Sequence, residues 1–67
     1  MKLHTEGAEI HIEWHFLKPG TSFFIPAIQT APLIKSIKKA AFEKGISLQA
    51  RICFEKGFYG VRFWRLN

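Results

Sequence analysis

The chain has 67 residues, 48% of them apolar and 22% charged, a balance that suits one folded domain and excludes a disordered tail. Ten Lys and Arg against five Asp and Glu leave a formal charge of +5, which favours an anionic partner such as nucleic acid or an acidic protein. No apolar run is long enough for a secretory h-region or a membrane span, and the lone Cys53 closes no intrachain disulfide; these features predict a cytoplasmic protein without a membrane partner.

Residues 1–7 are expected to form a frayed or loosely attached N-terminus of the single domain. Residues 9–17 then alternate, with Ile10, Ile12, Trp14 and Phe16 on one side and Glu9, His11, Glu13 and His15 on the other. This is the pattern of a half-buried strand. Lys18-Pro19-Gly20-Thr21 reads as a turn into Ser22-Phe23-Phe24-Ile25. A hairpin closed there sets Phe16 opposite Phe23 and Trp14 opposite Ile25, so that the apolar faces coincide.

Thr30 as N-cap, Pro32 in the first turn and Gly45 just past the end bound a helix over 31–44. Leu33, Ile34, Ile37, Ala40 and Ala41 share one sector at 100° per residue, the expected core face. Lys35, Lys38 and Lys39 occupy the opposite face, with Phe42 among them. Alternation returns over 46–55, and a Lys56-Gly57 turn leads into a last strand over 59–65. That register sets Ile52 opposite Val61, Ala50 opposite Phe63, Arg51 opposite Arg62 and Gln49 beside Trp64. The fold class is α+β: a two-layer ββαββ arrangement in which two β-hairpins flank one helix that covers one face of an antiparallel sheet. The uncovered face is expected to carry Glu9, His11, Glu13, His15, Phe24, Gln49, Arg51, Cys53, Arg62 and Trp64.

Arg51 and Arg62 form the most informative pair, because like charges directly opposite on a sheet destabilise it unless an anion lies between them. A phosphate meets that need, as does Glu13 or Glu55. With Trp64 and Phe24 to stack bases and Arg65 as a further phosphate contact, the face reads as a non-enzymatic platform for nucleic acid. Single strands are favoured over duplex, with low sequence specificity. Lys35, Lys38, Lys39 and Phe42 add a second electrostatic surface. In the competing reading the same aromatics anchor an acidic protein partner, or a homodimer formed through the open face or a free strand edge.

His11, Glu13 and His15 are metal-ligand types at i, i+2 and i+4, yet the outer two stand about 13 Å apart on a strand, so they read as a polar strand face. Cys53 reads as a small half-buried residue opposite Gly60. With no Gly-rich phosphate loop, Walker sequence or Cys-x-x-Cys, no catalytic residue, metal or cofactor is expected.

Ser22-Phe23-Phe24-Ile25-Pro26, the Lys/Ala-rich helix, Arg51 and the closing Gly60-Val61-Arg62-Phe63-Trp64-Arg65 resemble a group of small phage-encoded proteins that share an SFF(I/V)P segment and a terminal GVR-x-WR. The resemblance spans residues 20–65. Phe63 stands where that group more often has valine, and the leading segment 8–17 lies outside the shared pattern. The resemblance implies a bacterial host's cytoplasm, and either a DNA-associated role or an inhibitor that docks on a host protein.

Overall fold

Two eight-residue strands, β4 (Leu48–Glu55) and β5 (Phe58–Arg65), form the longest pairing of the chain. A computed structural model describes residues 2–5 and 8–67, with side chains from His11 onward. Lys56 and Gly57 join β4 to β5 with positive φ at both positions, 51° and 83°. Such a two-residue turn matches the right-handed twist of the flanking strands. The register sets Ala50 opposite Phe63, Arg51 opposite Arg62, Ile52 opposite Val61 and Cys53 opposite Gly60, as the alternation predicts.

The remaining elements are β1 (Lys2–Thr5), β2 (Ala8–His11), a 3-10 turn (Trp14–Phe16), β3 (Ser22–Pro26) and α1 (Thr30–Glu43). β3 pairs antiparallel with β5, which gives a three-stranded sheet of order β3-β5-β4. α1 lies against one face of this sheet, so the architecture is α+β in two layers. Leu33, Ile37 and Ala41 of the helix meet Ile25, Leu48, Val61 and Phe63, with Ile34 and Ala40 at the margin. This is the apolar sector expected from the sequence.

The segment 9–17 differs from its expectation. It is not one strand: β2 ends at His11 and pairs with β1 in a separate two-stranded sheet, after which the chain coils into the 3-10 turn. Phe23 faces Phe63 and Ile25 faces Val61, so the expected pairs Phe16–Phe23 and Trp14–Ile25 do not form. Burial explains the exchange. Phe63 and Val61 are wholly buried, and Phe23 stacks on Phe63 with ring centroids 5.3 Å apart. Trp14 meets Phe23 edge-on at 6.5 Å, and Ile12 joins it in the core, while Phe16 turns out to solvent. The expectation of fraying over 1–7 falls partly outside the described residues; the backbone of Lys2–Thr5 is paired as β1.

Gln29, not Thr30, takes the N-cap position of α1. At the other end Gly45 has φ +73°, the left-handed conformation that closes helices. Its N–H donates to the Phe42 carbonyl at 3.0 Å, and the Ile46 N–H to the Ala41 carbonyl at 2.9 Å. The chain thereby drops from the helix straight into β4. No described helix is long and apolar enough to cross a membrane.

Candidate nucleic-acid interface

Alternation along three paired strands sends every second side chain to the face that α1 leaves uncovered. Across this open face, one row holds Phe24, Arg62 and Arg51, and the next holds Ser22, Trp64 and Gln49. Cys53 and Gly60 form the row on the other side of Arg62. Both residues are small, so Glu55 and Arg62 reach toward each other over them.

The Arg62 guanidinium is engaged at all three of its nitrogens. Its Nε donates to Glu55 Oε2 at 2.6 Å, its Nη2 to Glu55 Oε1 at 2.6 Å and its Nη1 to Ser22 Oγ at 2.7 Å. The same group lies 5.9 Å from the centroid of the Phe24 ring. Such a bidentate pair is the strong form of a charge-assisted hydrogen bond. It holds the Glu55 carboxyl down at about 2, chiefly through the Arg62 hydrogen bonds and against the opposing effect of burial. Glu55 in turn raises the Arg62 guanidinium above its ordinary value. Glu55 Oε2 also accepts from the Cys53 thiol at 3.2 Å. Desolvation first, and then the Glu55 hydrogen bond, push that thiol up, which lowers its thiolate fraction relative to an ordinary cysteine.

Arg51 differs from Arg62. Its side chain is exposed and makes no hydrogen bond or ion pair among the described residues. It lines a surface cavity of about 330 Å³ together with Gly20, Gln49, Trp64, Arg65 and Leu66. A free cation and a half-buried indole therefore share one groove on the open face. The Arg65 guanidinium is held elsewhere: Nη1 donates to the Leu17 carbonyl, and Nε to the Asn67 carbonyl at 2.8 Å.

Lys35, Lys38, Lys39 and Phe42 are all exposed on the outer side of α1, Phe42 at 81%. The helix and the sheet stand between them and the open face. The candidate residues thus fall on two opposite surfaces. His11, Glu13 and His15 do not continue the sheet face as expected, because the chain leaves the strand after His11. Glu13 Oε1 lies 2.5 Å from His11 Nε2, and Glu13 Oε2 lies 3.7 Å from His15 Nδ1. Among the described residues no group of three ligand types is placed to hold a metal ion. The side chain of Glu9 lies outside the described residues.

The role of Ser22 as a partner of Arg62 is absent from the sequence reading, since it depends on β3 pairing with β5. The choice of Glu55 has a signal in the chain: with the Lys56-Gly57 turn in place, only Cys53 and Gly60 separate Glu55 from Arg62 on their face. No family model, curated protein or solved structure matches this chain.

Proposed function

We propose that the open sheet face binds single-stranded nucleic acid without chemistry, with Trp64 stacking on a base and Arg51 contacting a phosphate. The observation that carries this reading is the exposed, unengaged Arg51 beside Trp64 in one groove. Stacking on an aromatic ring is tolerant of sequence because every base has a π-face, and a nearby cation tracks the backbone. Arg62 acts indirectly: bound by Glu55 and Ser22, it fixes the floor of the platform under Phe24. Lys35, Lys38 and Lys39 supply a diffuse positive field that speeds encounter. By the phage resemblance, the setting is a bacterial host's cytoplasm.

Binding of a labelled single-stranded oligonucleotide across a salt series tests the assignment. Arg51→Ala is expected to lower the slope of log K against log salt by about one unit. Trp64→Ala is expected to cost about 1–3 kcal/mol of affinity. Unchanged affinity and slope in both variants would overturn the site.

A further inference from the structure

β4 is an edge strand, and it carries few of the usual protections: its only charged residues are Arg51 and Glu55. Natural edges are blunted by charged side chains, lysine above all, by proline, by a bulge or by short length. β3, the other edge, has five residues and ends in Pro26. β4 has eight, Leu-Gln-Ala-Arg-Ile-Cys-Phe-Glu, with no proline or lysine and an unbroken register against β5. Because Glu55 and Phe58 flank a two-residue turn, they form a hydrogen-bonded pair. The alternation then turns the N–H and C=O groups of Ala50, Ile52 and Phe54 outward. The helix side of the same stretch exposes Ile52 at 47% and Phe54 at 69%.

We propose that this edge pairs antiparallel with β4 of a second copy of the chain, with Cys53 at the two-fold axis. A side-preserving register between identical strands places even with even and odd with odd residues. Centring on Arg51 opposes two like charges, which costs energy. Centring on Cys53 sets Arg51 opposite Glu55 of the second copy, twice by symmetry. It also pairs Ile52 with Phe54 of the second copy through their outward backbone groups. The charges are opposite: Arg51 has no ion-pair partner in its own chain among the described residues, and Glu55, already bound to Arg62, keeps a spare acceptor site at Oε1, which accepts only from Arg62 Nη2. Four apolar side chains, Ile52 and Phe54 from each copy, close over the axis on the helix side. The contact is isologous and self-limiting. It goes beyond the nucleic-acid reading and is measured without nucleic acid; because the dimer sets Arg51 against Glu55 of the second copy, pairing of β4 and phosphate contact by Arg51 are alternative states of this face.

Sedimentation of the full chain, with no oligonucleotide present, is the test. The wild-type mass is expected to reach twice the 7.7 kDa of one chain as concentration rises. Arg51→Glu, at a position whose side chain makes no hydrogen bond or ion pair among the described residues, and Phe54→Lys, at an exposed one, are both expected to stay monomeric with unchanged circular dichroism. Diamide, which accepts the two thiol hydrogens as the disulfide forms, is expected to couple Cys53 to Cys53 of the second copy in the wild type and to fail in Arg51→Glu. A wild-type chain that remains monomeric throughout overturns the proposal. A dimer that survives Arg51→Glu and does not couple through Cys53 overturns it equally, since that dimer uses another surface.

Discussion

Arg51 and Arg62 face each other across β4 and β5, yet they end in different states because of what lies along the face from each. Arg62 looks over Cys53 and Gly60 to Glu55; Arg51 has no carboxylate in reach among the described residues. The opposition was legible from the hairpin alternation, whereas the outcome depends on the length of two side chains crossing a gap between small residues. The Glu55 carboxyl sits at about 2 in the folded chain against an ordinary 4.5. A depressed folded value stabilises above the unfolded value and is lost as pH falls. Stability is therefore expected to drop as pH falls from about 4.5 to about 2, and Glu55→Gln is expected to flatten that limb; urea midpoints across this range check it. Trp14 illustrates a different cost. Its indole Nε1 is buried with no partner among the described residues. Trp14→Phe removes an unsatisfied donor and some ring volume, two effects expected to offset each other to within about 1 kcal/mol in a denaturant titration.

Among the elements, α1 and the β4–β5 hairpin were legible because local signals determine them: a 3.6-residue apolar sector, a glycine at the helix end and strict alternation around a two-residue turn. The pairing of β3 was not. Residues 9–17 and β5 both present an alternating partner for Phe23 and Ile25, and local pattern does not rank them. Burial against Val61 and Phe63 does, since β5 offers those side chains from the centre of the sheet. Two glycines test these joins. Gly45→Ala must hold φ +73° with a Cβ and is expected to cost about 1–2 kcal/mol of stability. At Gly60 the added Cβ meets the Ile25 carbonyl and lies 2.7 Å from Pro26 Cα, both backbone atoms that yield only if β3 shifts. Gly60→Ala is therefore expected to accelerate amide exchange along β3 more than along β4.

At the scale of the whole molecule, α1, the three-stranded sheet and the segment that carries Ile12 and Trp14 close one small core, and α1 covers one face of that sheet. Phe63 lies at the centre of that core, with no exposure. Phe63→Ala is expected to cost about 3–5 kcal/mol, a large share of the stability of so small a domain, read from the urea midpoint. Charge is divided between the helix lysines on one side and Arg51 on the other, and the second surface combines an exposed cation with a half-buried indole in a groove of the open sheet face. That combination carries the functional reading, and Trp64 reports on it directly. In the Trp14→Phe chain Trp64 is the sole indole, so its fluorescence can be followed as a single-stranded oligonucleotide is added at low and high salt. The account predicts quenching that saturates at low salt and weakens steeply as salt rises. Binding that leaves the emission of Trp64 unchanged, or no binding at low salt, would contradict it.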